Sequence, residues 1–113
     1  MRHTVLFVAL LLAPAALADP RDISALRLLL GWKDRDPNTR MLAEVIASAF
    51  STGLSWRGEL AGKEVYCPPA SLKGHEIMVA FERFVADNPA MAQRPYGDAM
   101  AATLSREFPC RTL

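Results

Sequence analysis

Cys67 and Cys110 are the only cysteines of the 113-residue chain, and how they are read depends on where the chain folds. The N-terminus addresses that. Met1-Arg2-His3 is a short basic start, Val5 to Leu12 carries no polar side chain, and Ala13-Pro14 and the small-residue site Ala16-Leu17-Ala18 follow. These are the n-region, h-region and A-x-A site of a secretory signal peptide, with cleavage expected after Ala18. The apolar run falls short of the roughly 20 residues that span a bilayer, and no lipobox cysteine follows it. Residues 1–18 are therefore expected to be a leader, and 19–113 one exported, soluble domain. An oxidising compartment favours pairing the two cysteines. Chain-entropy arithmetic for a loop of this length gives about 4 kcal/mol, a large share of what so small a domain normally has. A nucleophilic thiolate would want an adjacent base. Instead Cys67 precedes Pro68-Pro69, and Cys110 lies between Pro109 and Arg111. A structural disulfide is expected.

Helical periodicity runs through the rest. A first helix opens at Asp22 or Ser24, carries Ile23, Leu26, Leu29 and Leu30 on one side, and ends at Gly31. Asp36 is placed as an N-cap with Pro37 at the first helical position. The second helix is expected over 38–54, its core stripe formed by Leu42, Val45, Ile46, Ala49 and Phe50, with Gly53 at its fraying end. From 55 to 69 the periodicity disappears, so an irregular loop is expected, with residues 65–67 locally extended. Ser71 is read as the cap of a third helix, whose Ile77, Met78, Phe81, Phe84 and Val85 make the clearest amphipathic pattern of the chain. Asp87-Asn88-Pro89 stops it. Pro95 begins a fourth helix with Tyr96, Ala99, Met100, Thr103, Leu104 and Phe108 along one side. No alternating strand pattern occurs. The expected fold class is all-α: a small compact bundle of about four helices with one disulfide.

The chemical inventory is thin. The leader's Arg2 accounts for the formal +1, leaving twelve basic and twelve acidic residues. That balance lacks the basic surplus of a nucleic-acid binder. The one histidine beyond the leader, His75, is followed by Glu76, but Val79 stands where a zinc-protease helix needs its second histidine. A solvated or helix-capping role is expected for it. No serine sits in a nucleophile elbow, and no phosphate loop, haem-attachment motif or metal-ligand spacing is found. Neither catalytic residues nor cofactors are expected. Met41, Met78, Met91 and Met100 read as core filling. Trp32 and Trp56 each fall at a helix end beside charges. Trp56 with Arg57 suits an interface hot spot, and a tryptophan folded over the end of a small core suits the same spacing.

In the C-terminal half the spacing becomes recognisable. Tyr66-Cys67-Pro68-Pro69, Leu72-Lys73-Gly74-His75, Phe84-Val85-Ala86-Asp87-Asn88-Pro89, Ala99-Met100, Ala102-Thr103-Leu104 and Phe108-Pro109-Cys110 follow one another. Together they resemble the type VI amidase immunity family and its Rap-type relatives, over roughly residues 66–110. This chain lacks the cysteines that members often carry near residues 47–53, and His75 stands at the family's usual glutamine. The resemblance implies a periplasmic helical domain, commonly a homodimer, that binds a type VI secretion effector. That effector is a peptidoglycan amidase, whose cleft the immunity protein blocks sterically. The effector contact is expected on the loop 55–64, with Trp56 and Arg57 as anchors and Glu59 supporting, and secondarily on the turn holding Arg94 and Tyr96. Two other readings fit an exported helical domain with one disulfide: a small acid-stress chaperone, and a domain with no toxin partner.

Overall fold

The computed structural model describes residues 20–62 and 66–110; the leader expected at 1–18 lies outside the described residues. Four α-helices form the domain: α1 Ala25–Trp32, α2 Pro37–Ala61, α3 Gly74–Asp87 and α4 Tyr96–Glu107. A 3₁₀ turn, Pro89–Gln93, joins α3 to α4, and the described residues contain no strand. The all-α bundle expected from periodicity is the fold observed.

Local chemistry explains most of the boundaries. Ser24 caps α1 by accepting from the Arg27 N–H, and Asp36 caps α2 through the Asn38 N–H with Pro37 at the first position. Both place a side-chain oxygen on an N–H that a helix start leaves without a partner. Ser71 does not cap α3. Lys73 occupies the cap position without a side-chain bond, and Gly74 begins the helix. The start of α4 is tied to the start of α1: Tyr96 N–H donates to Ile23 C=O at 2.7 Å and Ala25 N–H to Arg94 C=O at 2.8 Å.

The core is supplied unevenly. Phe81, Ile77 and Met78 from α3, Tyr96, Met100 and Leu104 from α4, and Leu28 from α1 bury their side chains. The buried Thr103 hydroxyl is satisfied by donating to Ala99 C=O at 2.7 Å. Helix α2 contributes small residues instead, namely Ala43, Ala47, Ser51 and Gly58, flanked by half-buried Ile46, Phe50 and Leu54. The stripe expected for this helix is therefore rotated. Leu42, Val45 and Ala49 face solvent, because a helix that approaches its neighbours closely turns its smallest side chains toward them.

The second correction concerns length. Gly53 does not end α2, and the irregular loop expected from residue 55 is helical to Ala61. The small inner face continues to Gly58, so burial sustains the two extra turns despite a glycine costing about 1 kcal/mol inside a helix. Gly62 stops the helix. Its φ of 69° is the left-handed conformation that glycine adopts without steric penalty, and its N–H caps the Glu59 and Gly58 carbonyls.

Candidate functional site

The chain from 66 to 73 is extended or turned, and it runs back beside the C-terminal half of α2. Two features hold it there. Cys67 is joined to Cys110, and Cys67 N–H donates to Phe108 C=O at 2.8 Å, so the two ends of the recognised C-terminal pattern meet. Tyr66 is buried. Its hydroxyl donates to the Ser51 backbone carbonyl, and the Ser51 hydroxyl lies 2.5 Å from the phenol oxygen, to which it can donate in turn. The expected disulfide thus fastens the end of α4 to the segment before α3.

Between that segment and α2 lies a groove of about 380 Å³. It is lined by Ser51, Thr52, Ser55, Trp56 and Glu59 on one side, and by Tyr66, Pro68, Pro69, Ala70 and Leu72 on the other. Trp56 is 60% exposed. Glu59 and Arg57 are exposed, and neither side chain has an ion pair or hydrogen bond among the described residues. An apolar ring, a row of hydroxyls and an unpaired carboxylate can hold a side chain or loop of another protein by stacking and charge-assisted hydrogen bonds.

Three of the expected contact residues therefore stay together, on the last turns of a helix rather than on a loop. Trp56 and Glu59 line the groove, while Arg57 stands on the same turns away from it. The secondary turn is not brought to them. Tyr96 is 2% exposed and packs edge-on against Phe50 at 6.0 Å, so it is a core residue and offers no contact surface. Arg94 is exposed but paired with Asp98 at 3.0 Å. Trp32 is half-buried against the core and meets His75 edge-on at 5.1 Å. His75 is exposed at the start of α3, with its Nδ1 3.4 Å from a Glu44 carboxylate oxygen.

Tyr66, Ser51 and the Pro68-Pro69 wall were not singled out as site residues. The signal for them was the aromatic beside a cysteine, which fixes a ring to whatever the disulfide anchors. Burial raises the Tyr66 phenol above its ordinary 10.0, with the Ser51 hydrogen bond pulling the other way. A raised folded-state pKa means the folded form holds the proton more tightly. The contribution is full below pH 10 and lost as pH rises beyond it. Unfolding free energies of wild type and Tyr66→Phe, compared at about pH 8 and about pH 11, should show this. The variant loses about 1–2 kcal/mol at the lower pH, because Ser51 is left short of a partner, and declines less steeply in alkali. Parallel declines would exclude Tyr66 as the titrating group.

Comparison with protein-family models, curated proteins and solved structures found no match to this chain.

Proposed function

We propose that the chain is a periplasmic immunity protein that binds a peptidoglycan amidase delivered by type VI secretion and blocks its cleft. The observation that carries this reading is the exposed Trp56 beside Glu59, whose carboxylate has no partner among the described residues, across a groove from a wall clamped by a disulfide, with exposed Arg57 on the same helical turns. A large aromatic with few rotatable bonds, standing on rigid backbone, loses little entropy when a partner closes over it. Steric blockade asks nothing more of the inhibitor than shape, position and charge. The supporting sequence pattern is the one that pairs Tyr66-Cys67-Pro68-Pro69, whose Tyr66, Pro68 and Pro69 line the groove, with Phe108-Pro109-Cys110, to which the disulfide fastens that segment.

The test is capture of partners from the periplasm of the producing organism at neutral pH, followed by mass spectrometry. The reading expects one stoichiometric protein with a Cys–His amidase signature. Many unrelated clients, increasing at low pH, would favour an acid-stress chaperone instead. Trp56→Ala with Arg57→Ala should then weaken that complex by about thirtyfold or more, the scale of a hot-spot loss. Unchanged affinity in the double variant would move the contact surface off the end of α2.

A further inference from the structure

The groove between α2 and the 66–73 segment carries one sign of charge. Among the described residues Glu59 is the only charged side chain that lines it, and its carboxylate has no ion pair or hydrogen bond there. The other polar groups on the helix side are hydroxyls. Ser51 is already engaged, since its hydroxyl and its backbone carbonyl both meet the Tyr66 phenol. Thr52 and Ser55 remain, and like Glu59 they can accept hydrogen bonds. Trp56 stands among them, 60% exposed. Thr52 to Trp56 and Ser55 to Glu59 are steps of four along the helix, and Trp56 to Glu59 is a step of three. These four side chains therefore share one face of α2, with about 5–6 Å between the Cβ atoms of such neighbours. Arg57 does not line the groove.

That set discriminates among the side chains another protein could insert. An aspartate or glutamate would meet Glu59 at like charge. An apolar side chain would strip water from the carboxylate and return no hydrogen bond, which is strongly unfavourable. A cation satisfies it, and the exposed face of an indole attracts a cation as well. Shape then separates the two cationic side chains. A guanidinium is planar and weakly hydrated, so it can lie on the ring while its edge donates to a carboxylate. A lysine ammonium is a compact, strongly hydrated point charge, and it offers no flat face to stack. Pro68, Pro69 and Leu72 on the opposite wall give apolar surface to the methylene stem of the same side chain. The groove's volume of about 380 Å³ is near the low end of small-ligand sites, roughly 300–1,000 Å³, a size for one side chain and not for a helix.

We infer that the groove is a socket for an arginine side chain of the bound protein, its guanidinium stacked on Trp56 and hydrogen-bonded to the Glu59 carboxylate. That another protein supplies the arginine rests on the effector reading; the socket's preference for a guanidinium does not.

The oxidised protein, expressed from its full coding sequence, is titrated by NMR with a capped Gly-Arg-Gly peptide, and with the same peptide carrying lysine or citrulline at its centre. Citrulline keeps the shape of arginine and removes the charge. The expected result is saturable shifts at the Trp56 indole N–H and the Glu59 amide, with a dissociation constant of about 1–30 mM for the arginine peptide, the scale of one side chain in an open site. The lysine peptide should bind about three- to tenfold more weakly, and the citrulline peptide at least about tenfold. Glu59→Gln and Trp56→Leu, both at exposed positions, should each weaken the arginine peptide by about five- to tenfold. Glu76→Gln, at an exposed carboxylate of α3, should leave it unchanged. No saturable shift up to about 100 mM, citrulline or lysine binding as tightly as arginine, or indifference to Glu59→Gln overturns the inference. Partner capture keeps the two readings apart. Arginine-selective titration with no amidase retained supports the socket and removes the amidase; a captured amidase whose complex is unmoved by Glu59→Gln keeps the amidase and overturns the socket.

Discussion

Removing the Cys67–Cys110 bridge, by reduction or by Cys67→Ser with Cys110→Ser, is expected to cost about 4 kcal/mol of unfolding free energy. The bond closes a loop across a sequence separation of 43, and a loop of that length removes about this much chain entropy from the unfolded state. In a domain of this size such a loss lowers the melting temperature by roughly 15–30 °C. The geometry adds a local consequence. Of the restraints on residues 66–73, the disulfide is the covalent one, and the Cys67–Phe108 hydrogen bond and the Tyr66–Ser51 contact depend on the same alignment. The reduced protein should therefore lose amide protection first at residues 66–73 and at the last turns of α2, while α3 and α4 exchange later. Thermal unfolding with and without reductant, joined to hydrogen exchange, separates the two effects. A melting temperature lowered by only a few degrees would mean that the unfolded chain gains little freedom when the loop opens. Uniform exchange over all four helices would mean that the groove wall is no more dependent on the bridge than the rest of the core.

How much of this was legible in the sequence varies with the kind of signal. Strong local chemistry read through correctly. Asp36-Pro37 starts a helix, Asn88-Pro89 stops one, and α3 declares its buried face through Ile77, Phe81 and Val85. The pairing of the two cysteines followed from the leader-like N-terminus and was observed in the fold. The face of α2 was not legible, because periodicity reports only that apolar residues recur, and this helix has two recurrent faces. Its small residues Ala43, Ala47 and Ser51 bury fully, Ile46, Phe50 and Leu54 flank them half-buried, and Leu42 and Val45 stay exposed. Tertiary approach decides between them, and no single helix encodes that distance. The end of α2 was lost for a related reason. Gly53 read as the fraying end, yet it is an exposed helical position, and Gly58 beyond it is buried where the helix packs. For the candidate site, composition pointed to Trp56 and Glu59, which the fold places together on one groove, whereas Tyr96, expected on a contact turn, is buried. Its neighbours Arg94 and Asp98 are exposed, but the ring turns inward onto Phe50.

A close approach between α2 and α3 gives the second large effect. Gly74, the first residue of α3, sits against α2 so tightly that an added Cβ would collide with the Glu44 backbone carbonyl and lie 2.7 Å from Ser48 Oγ. The serine can rotate away, but a helical carbonyl cannot. Gly74→Ala must therefore push the start of α3 off α2, and a cost of about 3 kcal/mol is expected, the upper range for overpacking against fixed atoms. The displacement has a signature besides stability. His75 is the next residue, and its contacts to Glu44 at 3.4 Å and to the Trp32 ring at 5.1 Å open with it. The histidine and tryptophan signals should shift together in NMR spectra of the variant. Gly53→Ala on the exposed side of α2, where an added Cβ meets nothing within 4 Å, should instead gain about 0.5–1 kcal/mol from reduced backbone freedom in the unfolded chain. Adding Ser48→Ala to Gly74→Ala should rescue little, because the carbonyl contact remains. A full rescue would identify the hydroxyl, and not the helix backbone, as what admits only glycine at this crossing.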